Sequence, residues 1–307
     1  MNNNVLTSIV LPLITMLLWG SLFPCIKIGY RAFNINTDNV AEILMFAALR
    51  FSICGIIVCI IAYLSKSYIA KPRVKSILSI CLMGVFAVVL HYGFTYVGLS
   101  ETDSSKTAIL KQLGPLLFAC FSFLFVKNEI FSMTKIIGAL IGFCGIIAIN
   151  TGTAFHGFSV GDMLIVAASV CTVISMIISG RSAKGTSPFW ITGISQLFGG
   201  VVLFITAILM GAGIPAFTIE SAPIFIYICI ASIAGYTLFY YIQRTTELSR
   251  LFIIKFAEPL FACIFSAFLL GENIFKIQYL IAFTLISIGI ILGNKHTKKG
   301  QIKKQRD

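Results

Sequence analysis

Ten apolar stretches, separated by short polar segments, run along the chain. Each is roughly 18–25 residues long, enough to cross a hydrocarbon core of about 30 Å as an α-helix. The strict alternation of apolar and polar residues that marks a membrane barrel is absent. The pattern therefore predicts an all-α integral membrane protein with ten transmembrane helices. The predicted spans are 8–30, 39–64, 76–98, 104–126, 133–150, 159–180, 188–210, 222–243, 249–270 and 276–293.

The pattern also repeats. Sliding 91–126 onto 235–270 without a gap, an offset of 144 residues, leaves ten identities in 36 positions. Self-similarity over this length indicates a molecule built from two related halves. The identical pairs include Tyr92/Tyr236, Tyr96/Tyr240, Lys111/Lys255 and Pro115/Pro259.

Each half would hold five helices. Because five is an odd number, the second half would start from the opposite side of the membrane. We therefore predict two inverted five-helix repeats, 1–152 and 153–294, followed by a basic tail at 295–307.

Composition and charge agree with a membrane address. The chain is 58% hydrophobic and 11% charged, far below the charge of a soluble domain. A net charge of +12 could indicate nucleic-acid binding, but the basic residues lie in short loops between apolar runs. With both termini in the cytoplasm, 16 basic residues lie inside and three outside. We expect a multi-pass protein of the cytoplasmic membrane, contacting lipid and no nucleic acid.

Four basic residues remain inside predicted spans: Lys27, Arg50, Lys111 and Lys255. Ionisable groups at such depth are costly and usually functional. Lys27 and Arg50 lie near helix ends, so either snorkelling or substrate binding would explain them. Lys111 and Lys255 lie deeper, and we expect them to bind an anionic substrate.

Glu258 is the one acid clearly inside a span, three positions after Lys255. Two interpretations stay open for it. Glu258 carries a proton that couples transport, or it forms a static ion pair that makes Lys255 tolerable at depth.

Prolines and tyrosines accompany the lysines. Pro115 and Pro259 follow each lysine by four residues, and each would free the lysine's carbonyl and kink the helix. They are therefore either hinges or tolerated kinks. The repeated tyrosines fit an interfacial aromatic belt or a cavity wall. The candidate substrate-binding set is Lys111, Lys255, Tyr92, Tyr96, Tyr236, Tyr240, Trp19, Lys27 and Arg50.

Other features carry less chemistry. The nine cysteines lie in apolar stretches without a CxxC pair, and no phosphate loop or nucleophile constellation is present, so we expect neither a metal, a cofactor nor an enzyme. Gly138, Gly142 and Gly145 form a small-residue stripe for close helix contact, either within the protomer or in a homodimer. Glu129 and Glu272 fall in tight loops, where we expect them to be solvated.

Several motifs resemble the drug/metabolite transporter superfamily, EamA type. They are Trp19-Gly20-Ser21-Leu22-Phe23 with Lys27, Leu49-Arg50-Phe51, Pro115 through Glu129 to Gly145, and Glu258-Pro259 through Gly271-Glu272 to Gly289. The first copy departs from the family pattern at Asn128, where a glycine usually precedes the glutamate. The two lysines are similar in position to those of plastid sugar-phosphate translocators, an analogy of place alone.

The resemblance implies an inverted-repeat bundle that moves a small metabolite by alternating access, usually outward. Together with the buried lysines, it predicts a secondary transporter exporting an organic anion, amino acid or similar molecule. Efflux of lipophilic drugs or cations is the alternative within transport. A non-transporting membrane scaffold is the alternative from a different class.

Overall fold

A computed structural model of the chain describes residues 6–65, 72–99, 107, 110–126, 129, 131–149, 159–182, 185–271 and 277–294. In these segments the regular structure is helical, without strands. The α-helices are α1 (Leu11–Ala32), α2 (Val40–Leu64), α3 (Val74–Gly84), α4 (His91–Leu99), α5 (Leu113–Phe125), α6 (Met133–Ile149), α7 (Val160–Ser182), α8 (Pro188–Leu209), α9 (Ser221–Ile242), α10 (Leu248–Ile254), α11 (Ala257–Leu270) and α12 (Ile277–Gly293). Short π-helical segments, Leu6–Val10 and Val85–Leu90, precede α1 and join α3 to α4.

Seven helical segments of the described chain are long and apolar enough to cross a membrane. They are Ser8–Ala32, Val40–Leu64, Val74–Gly98, Val160–Arg181, Pro188–Leu209, Ala222–Ile242 and Leu248–Leu270. Three shorter apolar helices, α5, α6 and α12, lie where the fourth, fifth and tenth spans are predicted. Large apolar side chains such as Leu78, Leu209 and Phe268 are exposed, as lipid-facing residues are. The ten-helix inverted repeat stays a prediction.

Helix ends follow local chemistry. The Asn39 side chain accepts the N–H of Ala41 at 3.0 Å where α2 begins, and the Ser187 hydroxyl accepts that of Phe189 at 3.3 Å where α8 begins. Gly271, directly after the last residue of α11, has φ 69°, a left-handed conformation that favours glycine and stops the helix.

Both lysine-bearing spans are interrupted at the lysine itself. Residues 111–112 and 255–256 form turns, and α5 and α11 begin directly after them. Pro115 and Pro259 are each the third residue of the new helix, where a missing N–H breaks no bond. The predicted release of the Lys255 carbonyl is wrong, because that oxygen accepts the N–H of Glu258 at 3.0 Å.

Glycines bring helices of the two halves into close contact. A Cβ on Gly289 would lie 2.6 Å from the Gly138 carbonyl oxygen and 2.7 Å from the Gly142 nitrogen. The predicted stripe on α6 is therefore used inside the protomer, against α12. A second close pair is α2 with α8, where a Cβ on Gly55 would lie 2.3 Å from the Leu197 nitrogen.

The other main contacts also cross between the halves. Helix α1 packs on α9 and α11, whereas α7 packs on α3, α4 and α5. The buried core, which includes Met16, Phe46, Phe239 and Phe252, lies between these helices. The two halves thus share one interior.

Candidate functional site

Lys255 lies at the break between α10 and α11 and points at two partners. Its ammonium group forms an ion pair with the Glu258 carboxylate, one turn further along. The same nitrogen lies 4.9 Å from the ring centroid of Trp19 on α1, within cation–π range. The side chains of Lys255 and Glu258 are each 13% exposed, so this pair is largely removed from solvent.

Lys111 occupies the matching break before α5 but has different surroundings. Gly114 stands where the second half has Glu258, and its N–H donates to the Ser169 hydroxyl at 3.2 Å. Lys111 is half-buried, and none of the described residues forms an ion pair or hydrogen bond with its ammonium group. Its charge interacts with those of Glu258 and Lys255, so three ionisable groups from two breaks meet in one region.

Aromatic side chains form one side of this region. Trp19 lies with its ring centroid 5.1 Å from Tyr236 and 5.2 Å from Phe239, and Tyr236 lies 6.2 Å from Tyr240. The indole fits because residue 235 is glycine, where a Cβ would lie 2.6 Å from Trp19 Nε1. Trp19 Nε1 is buried without a hydrogen-bond partner. The predicted residues Trp19, Tyr236 and Tyr240 are thus grouped near Lys255.

Arg50 is the centre of a second group. It is 3% exposed, donates from Nη2 to the Tyr92 hydroxyl at 3.0 Å and stacks 4.2 Å from the Phe51 ring centroid. Tyr92 packs on Tyr96 at 5.8 Å. Snorkelling therefore does not describe Arg50, which is enclosed by rings. Lys27, in contrast, is exposed.

Four participants were missed from the sequence. The Tyr30 hydroxyl lies 3.4 Å from that of Tyr96, and Phe51 separates Arg50 from Tyr236 at a ring distance of 6.5 Å. Gln112 and Gln196 are buried amides, with Gln112 Oε1 and both Gln196 terminal atoms unpartnered. A lone polar amide inside an apolar run is the signal that could have found the glutamines.

Charged residues around the N-terminal end of α10 form a separate network, which we call the helix-end network. Lys135 Nζ lies 2.7 Å from Glu247 Oε2, 2.9 Å from Ser249 Oγ and 3.8 Å from Glu129 Oε2. Glu129 also accepts the Ser249 N–H at 3.1 Å. These contacts tie Glu129 and Lys135 of the first half to the start of the ninth predicted span.

Glu129 corrects an expectation. Its side chain is 4% exposed and also accepts the Ser122 hydroxyl, so it is a buried structural acceptor and not a solvated loop residue. Glu272, the matching glutamate, lies outside the described residues. Arg250 extends the network by donating to Glu247 Oε2 at 2.9 Å and to the Asn294 carbonyl at 2.9 Å.

Glu247 is the network's most exposed member, at 40%. Burial raises its pKa, but the hydrogen bonds and charges of Lys135 and Arg250 outweigh that effect and leave the pKa below its ordinary value. The carboxylate therefore stays ionised, and the network stays paired, at neutral pH.

No group of three His, Cys, Asp or Glu that could hold a metal is found in the described part of the chain. The nine cysteines are free of disulfides. The groups around Lys255 and Arg50 and the helix-end network thus combine charged side chains, aromatic rings and helix breaks.

Comparison with known proteins identifies the type of molecule. The model of the EamA-like transporter family matches residues 6–151 and again residues 159–294. The chain belongs to the EamA-like transporter family. The family model thus matches two consecutive ranges of the chain separately.

Relatives of this EamA-like protein are similar along most of their length. The uncharacterized transporter YvbV of Bacillus subtilis is 24% identical over 287 residues, covering 92% of this chain and 90% of YvbV. The uncharacterized inner membrane transporter YedA of Escherichia coli K12 is 26% identical over 280 residues, covering 90% and 87%. A protein of known crystal structure shares the fold, with a TM-score of 0.75, 19% identity and coverage of 94% and 96%.

Membership in this family and the apolar helices make the protein a multi-pass membrane transporter. The predicted resemblance is confirmed. The family is one of transporters, which agrees with the expectation that the chain is no enzyme.

Proposed function

We propose that this EamA-like protein is a secondary transporter that exports a small organic anion, amino acid or similar metabolite by alternating access. The observation that carries the proposal is the repeated lysine. Lys111 and Lys255 each stand at the break of a membrane helix, and their charges and that of Glu258 interact. An ammonium group in a membrane span that forms no ion pair with the described residues, as that of Lys111 does not, favours a ligand that supplies a negative charge.

Broken helices suit such a site. Each break interrupts the regular helical pattern beside the lysine, and α5 or α11 begins there. Helix N-termini carry partial positive charge, which adds to the attraction for a carboxylate or phosphate. Transporters with discontinuous helices bind their substrates at such places.

The packing supports two inverted repeats. An inverted repeat relates α1 to α7, α9 to α3 and α4, and α11 to α5. The contact of α1 with α9 then corresponds to that of α7 with α3 and α4, and the contact of α1 with α11 corresponds to that of α7 with α5. All of these contacts are present. The pairs α2–α8 and α6–α12 exchange with themselves. This is the relation expected of a pseudo-two-fold axis in the membrane plane, with the site between the halves.

The helix-end network would close one end of the path. It joins Glu129 and Lys135 of the first half to Glu247 and Arg250 of the second. The positive-inside rule puts this end, and both termini, in the cytoplasm. The state described by the structure would then be closed to the cytoplasm, and rocking of the halves about Pro115 and Pro259 would break the network to open it.

Two other functions make different demands. Efflux of lipophilic cations would need a buried carboxylate to bind the cation, but the Glu258 carboxylate is already paired with Lys255. A scaffold would need no uncompensated charge at depth, which Lys111 contradicts. The anion transporter accounts for both residues. In this proposal the protein works in the lipid bilayer, alone or as a homodimer, without a cofactor.

The experiment starts with the ligand. Purified protein is screened by thermal shift against amino acids, sugar phosphates, carboxylates and lipophilic cations, because a ligand that binds the folded state raises Tm. Counterflow of the best anion is then measured in proteoliposomes. Lys111→Ala and Lys255→Ala should each lower the rate by at least about tenfold, whereas Lys75→Ala, an exposed lysine, should not change it.

Replacement by arginine should restore only part of the rate, because the guanidinium is larger and its donors have a different geometry. Normal flux in both alanine variants would remove the lysines from the mechanism. Binding of cations but of no anion would favour drug efflux.

A further inference from the structure

The inference concerns the charge of the substrate and rests on the proposed function. Arg50 is the starting point. Its guanidinium is almost fully buried, and the groups that face its charge are Tyr92, Tyr96, Tyr236 and Cys54, all uncharged as a rule at neutral pH. Arg50 Nε has no hydrogen-bond partner. Within the described ranges, Arg50 forms no ion pair with a carboxylate.

Lys111 is the second cation without a counter-charge. The charged groups that act on it are Glu258 and Lys255, which already pair with each other. Among the described residues of the two groups, Arg50 and Lys111 are therefore two positive charges without an ion pair. Charges removed from water are costly unless they are paired, and the cost is lowest when a ligand brings one negative charge to each.

The two cations belong to different groups. Arg50 is enclosed by Tyr92 and Phe51, whereas Lys111 lies at the break before α5. Rings lie between Arg50 and Lys255, whose charge acts on Lys111: Phe51 stacks on Arg50 at 4.2 Å, Phe51 faces Tyr236 at 6.5 Å, and Tyr236 meets Trp19 at 5.1 Å. Trp19 then contacts Lys255 at 4.9 Å. We call Phe51, Tyr236 and Trp19 the ring wall.

The ring wall suits the middle of an extended molecule. Aromatic faces contact methylene groups and other rings well, and they bring no charge of their own. A single compact anion could satisfy one cation and would leave the other unpaired.

We infer that the substrate is an elongated dianion, with one acidic group bound by Lys111, the other by Arg50, and an apolar body against the ring wall. A dicarboxylate is the simplest molecule of this class. The inference names the substrate class of the proposed site and excludes compact monoanions as its best ligands.

The test compares matched probes on the purified full-length protein at pH 7. Malonate, succinate, glutarate and adipate are compared by thermal-shift titration with propionate, butyrate, pentanoate and hexanoate, which have the same numbers of carbons. One dicarboxylate length should bind about tenfold or more tightly than its matched monocarboxylate, because it makes a second charge-assisted contact. Inorganic phosphate, a compact anion, should not share this advantage.

Variants assign the two ends. Arg50→Gln should abolish the preference for the dicarboxylate. Lys111→Gln, which removes the cation for the second acidic group, should abolish it as well. Lys75→Gln, on the exposed start of α3, should leave the preference intact. If Arg50→Gln does not fold, Arg50→Lys keeps the charge and should retain a reduced preference with a changed optimal length.

The outcomes separate the inference from the proposed function. Equal binding of both probe series, or a preference that survives Arg50→Gln, overturns the dianion while the anion transporter stands. Tighter binding of phosphate than of every dicarboxylate also overturns it. No response to any anion removes both.

Discussion

Lys111 and Lys255 hold the same position in their halves but face different neighbours. Glu258 neutralises Lys255, whereas Gly114 leaves the place beside Lys111 empty and lets α5 approach Ser169 closely. A Cβ on Gly114 would lie 2.5 Å from the Ser169 carbonyl oxygen, so a glutamate could not replace the glycine without moving a helix. The asymmetry of the site is therefore fixed by packing as well as by charge.

Glu258 is where a proton would act on this asymmetry. Protonated, it would release Lys255 for the substrate, and ionised, it would compete for that lysine. Glu258→Gln should therefore keep substrate exchange in proteoliposomes but abolish its response to an imposed pH gradient. A variant that follows the gradient as the parent does would make the pair with Lys255 a static one.

The sequence predicts the site residues that are charged within apolar spans. Lys111, Lys255 and Arg50 were found because charge is rare in apolar spans. Their partners could not be found, since these lie on other helices: Ser169 for Gly114, and Trp19 for Lys255. The burial of Glu129 likewise depends on Ser249, 120 positions away along the chain.

Among the elements, α10 is the short helix between the helix-end network and the lysine break. It spans seven residues, all of them buried, and its first turn is held by Glu129, Glu247 and Arg250. So short a helix has little stability of its own. Its order depends on these contacts. The sequence, which shows one continuous apolar span, predicted a proline kink near Lys255 but not a separate short helix.

Breaking the network should therefore loosen α10. Lys135→Met leaves Glu129 and Glu247 without their shared cation, and removal of one partner of a buried pair is strongly destabilising. Backbone amides of 248–254 should exchange hydrogen at least about tenfold faster in mass spectrometry. Lys75→Met serves as the control, and unchanged exchange in Lys135→Met would mean that the network does not hold α10.

The α6–α12 contact, in contrast, requires positions without side chains. Gly289→Ala places a methyl group 2.6 Å from the Gly138 carbonyl oxygen, and backbone cannot yield as a side chain can. We expect a loss of about 1–3 kcal/mol, typical of overpacking, seen as a lower Tm. Gly180→Ala, whose Cβ would meet nothing within 4 Å, should leave the Tm unchanged or raise it. Equal melting of both variants would show that α6 and α12 can separate freely.

For the whole molecule, the positive-inside rule makes the orientation testable. In a cysteine-free background, a membrane-impermeant thiol reagent should label Gly157→Cys in intact cells and leave Gly300→Cys unlabelled until the membrane is opened. Labelling of Gly300→Cys from outside would reverse the orientation and with it the end that the helix-end network closes.

Contacts that cross between the halves have a consequence for biosynthesis. Helix α1 finds its main partners in α9 and α11, and α2 finds its own in α8, so the first half lacks them until the second has been made. The five predicted spans that leave the ribosome first must wait in the bilayer with their glycine-lined faces covered by lipid or by an assembly factor. Final folding is therefore a late event that needs nearly the whole chain. Either half produced alone should be degraded, and the two halves produced together as separate polypeptides should find each other.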